Sequence, residues 1–142
     1  MTESAPIRFD TKVAILVGDD LLPWQKLNVT AFLVSGIATS EPDLVGEPYE
    51  DADGATYLPM LRQPILVYGA DAAVMRAARS KSVERGLAVA VYTRELFATS
   101  HDAANRAAVR SVASKSLDLV GIGIRGPRNL VDRLIKGARM HA

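Results

Sequence analysis

The residues best placed to do chemistry share one face of a helix expected to begin near Pro23. Lys26, Thr30 and Leu33 fall at i, i+4 and i+7, so a cation, a hydroxyl and a hydrocarbon lie on the same side. The helix follows an apolar run, Val13 to Val17, through the polar turn Gly18-Asp19-Asp20. A strand feeding a helix through such a turn is the usual way an α/β protein builds a site, because the turn sits at the carboxyl end of the strand. Nothing here supplies a complete acid, base and nucleophile set, so the face reads as a binding site before it reads as a catalytic one.

Three other clusters invite a chemical reading. GIGIRG, residues 121–126, matches G-x-G-x-x-G between an expected strand and an expected helix. Too little chain follows it for the second strand and ribose-binding acid of a dinucleotide fold. A weaker role is a helix-start anion site at Arg125, Gly126 and Arg128; the alternative is a tight turn whose glycines allow close packing. His101-Asp102 after Thr99-Ser100 suggests a triad, but neighbours on a helix diverge and no nucleophile elbow is present. Ser100 is expected to cap a helix over 101–113. Asp51 and Asp53 alternate before Gly54, yet the loop lacks the other oxygens and the closing glutamate of a calcium loop. A solvated hairpin turn fits better.

Composition narrows the field. The 142 residues suit one domain with a substantial core, 49% of them hydrophobic and 23% charged. There is no cysteine and only two histidines, so no thiol chemistry and no metal or cofactor site is expected. MTESAPIRFD lacks the features of a signal peptide and no apolar run reaches membrane-spanning length, so a cytoplasmic protein without membrane contact is expected. Residues 1–70 carry four Lys/Arg against ten Asp/Glu, and residues 71–142 carry thirteen against six. Such a basic half can serve RNA. The favoured reading is that the halves neutralise each other in an interleaved fold.

The elements that position these residues follow from periodicity. Residues 1–10 read as a loose lead-in to a single α/β domain over 11–142. A buried strand is expected over 11–18, then a helix over about 24–37 with Leu27, Ala31 and Val34 facing the core. The acidic stretch SEPDLVGEPYEDADG leads to a hairpin near 44–58. Further strands are expected at 65–68, 87–92 and 117–123. Helices should begin after Asp71 and at Pro127, with a short turn at Glu95-Leu96-Phe97. The pattern is that of a three-layer α/β/α sandwich around a mixed four-stranded core sheet, plus the hairpin.

KVAILVGDDLLPWQKLNVTAF resembles the opening of the type-2 peptidyl-tRNA hydrolases. QPILVYGADAAVMRAARSKSVERGLAVAVYT and LVGIGIRGPRNLVDRLIKG look like their middle and closing segments, the latter including the last-helix acid, here Asp132. PWQKLNVTAFLVSG, the YEDADG hairpin and YTRELFATS resemble a bacterial family of unknown function that shares that fold. The resemblance implies the hydrolase-like sandwich and a two-fold homodimer. It does not carry the catalytic set: the hydrolases follow their lysine with glutamine and histidine, where this chain has Thr30 and Leu33. Their third strand leads to a different turn, replaced here by Thr93 and Glu95. The expected cleft therefore gathers Asp20, Lys26, Thr30, Thr93 and Glu95, for a small anionic molecule or a peptide end. The alternative is a related hydrolase with an altered active site, acting on peptidyl-tRNA or another substrate.

Overall fold

Thr11–Gly18 (β1) runs through the middle of the sheet, as its unbroken apolar character requires, with Val13 to Val17 fully buried. The structure, a computed structural model, describes residues 9–142, so most of the expected lead-in lies outside the described residues. After β1 come α1 (Pro23–Ser40), β2 (Tyr49–Glu50), β3 (Thr56–Tyr57), β4 (Ile65–Ala70) and α2 (Ala72–Glu84). Then follow β5 (Val89–Thr93), α3 (Asp102–Arg110), β6 (Leu119–Pro127), α4 (Arg128–Leu134) and β7 (Arg139–Met140).

Among the described residues the fold is mixed α/β: four α-helices, a five-stranded mixed sheet ordered β5-β6-β1-β4-β7, and a two-stranded sheet of β2 and β3. β1 pairs parallel with β4 (Ile15 opposite Val67) and antiparallel with β6 (Ile15 opposite Gly123). The expected four strands become five because β7 docks antiparallel on β4, bringing Met140 opposite Tyr68. Two exposed residues carry no strand signature, so β7 is invisible to periodicity.

Residues alternate across β1, and each face has its own cover. Val13, Ile15 and Val17 meet Val29, Leu33 and Ile37 of α1, while Ala14 and Leu16 meet Met75 and Ala78 of α2 and Val131 and Leu134 of α4. The stripe of α1 that faces the sheet thus differs from the expected one. Leu33 is 2% exposed, whereas Leu27 is 74% exposed and Ala31 is exposed with it. Apolar residues lie on more than one side of α1, so two stripes of helical spacing were available. What selects the Val29 stripe is a trough in β6. A Cβ at Gly121 would stand 2.4 Å from Val29 Cγ1, and one at Gly123 would stand 3.0 Å from Ile37 Cδ1. The helix therefore sits closer to β6 than a side chain there would allow.

GIGIRG is consequently not a turn. All six residues lie inside β6, and α4 begins only after Pro127. Helix starts elsewhere follow ordinary capping: Gln25 Oε1 accepts from Leu22 N at 2.9 Å, and Asp71 Oδ1 accepts from Val74 N at 2.8 Å. At α3 the cap is His101 rather than Ser100, its Nδ1 accepting from Ala104 N at 3.2 Å. The acidic stretch ends in the expected hairpin: β2 and β3 pair near its tip, and a bridge between Val45 and Leu61 carries the pairing back to its base, slightly beyond 44–58. Asp51 accepts from Asp53 N and Ala55 N, and Gly54 takes φ 86.

Ion pairs join the two oppositely charged halves. Lys12 meets Asp132 at 2.6 Å, Arg139 meets Asp19 at 2.8 Å, and Arg94 meets Asp20 at 3.1 Å. Arg94, Arg139 and Arg125 of the second half thus face acids of the first, while Lys12–Asp132 runs the other way. Among the described residues no helix is long and apolar enough to cross a membrane.

Candidate functional site

The residues singled out by spacing do not converge on one point. Lys26 is half-buried and reaches His141, its Nζ 3.2 Å from Nε2. His141 N in turn bonds Val67 O of β4, which places Lys26 on the β4–β7 side of α1. Thr30 spends its hydroxyl proton on Lys26 O, at 2.7 Å. Asp20 lies at the other flank, paired with Arg94, which also holds Asp118 through Nε at 3.1 Å. Burial opposes the Arg94 charge, but the hydrogen bonds and attraction of Asp118 and Asp20 outweigh it and raise its pKa. Thr93 ends β5 at 2% exposure, and its Oγ1 has no hydrogen-bond partner among the described residues; Glu95 is exposed on the next turn. The structure therefore brings Asp20 to the Thr93–Glu95 segment through Arg94, and keeps Lys26 and Thr30 apart from it.

The three residues of the expected anion site are also dispersed. Arg125 is half-buried in β6, its Nε without a partner among the described residues and its Nη1 3.9 Å from Glu41. Gly126 is buried beneath Leu87, and Arg128 gives its backbone N–H to Asp10 O and its Nε to Phe9 O. The first turn of α4 is thus already engaged by the chain itself.

A concave surface lies instead on the β5 side of α1. Rings form a row there: Trp24 to Phe97 at 5.8 Å, Phe97 to Tyr92 at 5.2 Å, Tyr92 to Phe32 at 5.9 Å between centroids. Such tilted and edge-on contacts are the favoured aromatic geometry. Trp24 and Phe32 still leave 57% and 55% of their surface open. Facing the rings are Thr99, His101, Asp102 and Asn105, across a cavity of about 360 Å³. It continues into a second groove of about 580 Å³, floored by Ala90, Val91 and Tyr92 of β5 and walled by Phe32 and Gly36 of α1 and by Arg106, Val109 and Arg110 of α3.

Local sequence explains this opening. α3 is rich in alanine and buries no residue fully, so it packs on the turn Arg94–Ala98 and stands off the sheet. Trp24, Asn28 and Phe32 lie at i, i+4 and i+8, so one edge of α1 overhangs the gap. That spacing was the available signal for the aromatic row; the pair Arg106 and Arg110, four residues apart on α3, was another.

Much of the polar wall is already hydrogen-bonded within the chain. His101 Nδ1 accepts the cap bond, so the neutral ring carries its proton on Nε2. Thr99 Oγ1 touches both Leu96 O at 3.0 Å and the Asn105 side-chain amide. A hydroxyl has one proton, so both contacts are satisfied when the amide nitrogen donates to Thr99. Asp102 pairs with Arg106 one turn along α3. Burial pushes the Tyr92 phenol up, keeping it neutral at physiological pH. Among the described residues no group of three metal-ligating side chains comes together. What remains is an aromatic, apolar groove with two arginines at its rim.

A solved structure of a protein of unknown function from Agrobacterium tumefaciens strain C58 is 44% identical to this chain. The match covers 95% of this chain and 100% of that one, with a TM-score of 0.92. No curated protein matches. The family model for the proteins of unknown function grouped as DUF2000 matches residues 11–142, nearly the whole chain, and this protein belongs to that family.

Proposed function

We propose that the domain binds a small anionic ligand, or the carboxylate end of a peptide, in the groove between α1 and α3. The observation that carries this reading is the aromatic row from Trp24 to Phe32, half open at both ends, whose Tyr92 and Phe32 share the second groove with Arg106 and Arg110. Exposed apolar surface on a concavity of this size is what ligand sites use for affinity, while a few charged groups fix orientation. Arginine suits a carboxylate or sulfonate because its fork donates two parallel hydrogen bonds. The hydrolase-like sandwich is the scaffold we read for it, supported by the segment resemblance and by helices on both sheet faces.

Trp24, the one tryptophan, lies in the site and reports on it. Anilinonaphthalene sulfonate should quench Trp24 fluorescence saturably, and should bind at least about tenfold tighter than N-phenylnaphthylamine, the same aromatic body without the charge. About tenfold corresponds to about 1.4 kcal/mol. Replacing both Arg106 and Arg110 by alanine should abolish the difference. Equal affinities for the two probes in the unmutated protein would remove the anionic half of the reading.

The alternative is a related hydrolase with an altered active site. Its support is the Lys26–His141 contact, a pair of proton-handling groups close to the end of β1. On the favoured reading the purified protein shows no appreciable cleavage of peptidyl-tRNA, and turnover lost on Lys26→Ala would select the alternative.

A further inference from the structure

We propose that the ligand of the α1–α3 groove is the carboxyl-terminal segment of a peptide, bound in extended form as a further strand on the outer edge of β5. The proposal rests on the groove reading above and names the class of ligand the groove takes. β5 ends the five-stranded sheet and pairs only with β6. In such a strand every second residue turns its N–H and C=O outward, and among the described residues no backbone hydrogen bond reaches that side of β5. Sheet edges are ordinarily defended by charge, proline, bulges or shortness. The opposite edge follows that rule, since β7 has two residues and one of them is Arg139. β5 has five residues, VAVYT, with neither charge nor proline, and its register shifts only at its end, between Tyr92 and Thr93.

The concavity follows this edge along its length. The aromatic cavity borders β5 at Tyr92, the second groove at Tyr92, Val91 and Ala90, and a third cavity of about 170 Å³ at Ala90 and Val89, beside Gly36 of α1. A trough that accompanies four consecutive strand residues, about 13 Å, has the shape of an extended chain rather than of a compact molecule. Charge gives that chain a direction. Asp102 and Asn105 line both the aromatic cavity and the second groove, whereas Arg106 and Arg110 line only the second. The arginines therefore lie toward the Ala90 end. A carboxylate held there ends a chain that runs from the rings toward Ala90, antiparallel to β5, as β6 is on the other side. Antiparallel pairing is the more stable kind. Strand addition of this sort takes its affinity from main-chain hydrogen bonds, and alternate side chains of the added strand face the rings.

The probe is the peptide acetyl-TVTFTV with a free carboxylate, competed against anilinonaphthalene sulfonate through Trp24 fluorescence. The free acid should displace the dye, and the carboxyl-terminal amide should bind at least about tenfold more weakly. Methylating alternate backbone nitrogens of the peptide gives two series, one blocking the N–H groups that face β5 and one blocking those that face away. The carboxylate anchor fixes the register, so one series should lose at least about tenfold in affinity and the other little. As a second measurement, amide exchange followed by NMR should slow at alternate residues within Val89–Tyr92 when the peptide is bound, and not with the dye alone. A dye that binds through the arginines but is not displaced by the peptide would overturn the strand proposal and leave the groove reading standing. Equal losses in the two methylated series, or unchanged exchange in β5, would do the same. A dye that does not bind would overturn both.

Discussion

Gly121→Ala puts the packing of α1 on β6 to a quantitative test. The backbone itself tolerates alanine, since Gly121 is not among the positive-φ glycines, and lower unfolded-state entropy would stabilise by about 0.4–1 kcal/mol. The added methyl, however, would stand 2.4 Å from Val29 Cγ1, 3.0 Å from Leu33 Cδ1 and 3.4 Å from Leu16 O. Carbon atoms prefer about 3.5–4.0 Å, so helix or strand must shift by roughly 1 Å. Overpacking of that kind costs about 1–3 kcal/mol, and the clash outweighs the entropy. Val29→Ala alone should cost about 2 kcal/mol, from two buried methyl groups and a partial cavity. The double variant lets the new methyl occupy the vacated space. Urea denaturation at unchanged m should therefore give a coupling of at least about 1 kcal/mol, the pair being no less stable than the worse single change. Additivity within about 0.5 kcal/mol would refute the close approach of helix and strand.

Leu33→Ala should cost about 2–5 kcal/mol in thermal or chemical denaturation, while Leu27→Ala, measured where the chain is dilute, should stay within about 0.5 kcal/mol. The hydrogen bond from Tyr57, followed by that from Ala55 N, holds the Asp51 carboxyl below the usual carboxylate range. The support it gives the hairpin is present above the unfolded-state pKa and is lost as pH falls through the depressed folded value. Carbon-detected NMR titration should show that depression, and Tyr57→Phe should reverse much of it. Arg94→Ala should cost no more than about 1 kcal/mol, because Asp20 and Asp118 are both solvent-exposed partners.

The strands were legible wherever the sequence carries a continuous apolar run, buried on both faces as in β1 or half-buried at the sheet edge as in β5. Val13–Val17 and Leu87–Tyr92 announced β1 and β5 within a few residues, and Asp71 announced α2 as a cap. The register of α1 was not legible. Leu27–Ala31–Val34 and Val29–Leu33–Ile37 both satisfy helical spacing, and the choice between them rests on Gly121 and Gly123, some ninety residues away in sequence. Those same glycines read as part of a tight turn before a helix because strand glycines and loop glycines share a local signature. The site was partly hidden for a related reason. A lysine and acids near a strand end draw attention, yet Lys26 and Asp20 are committed to His141 and Arg94. The aromatic row is assembled from α1, β5 and the turn after β5, so no window of sequence contains it.

The central claim is that the groove between α1 and α3 receives an anionic ligand with an apolar body. Amide chemical-shift mapping during titration with anilinonaphthalene sulfonate tests it most directly. The shifts should concentrate in Trp24–Gly36, Ala90–Phe97 and Asp102–Arg110, the segments lining the two cavities, and should fall away when Arg106 and Arg110 are replaced by alanine. Shifts centred on Lys26 and His141, with the groove undisturbed, would contradict the claim.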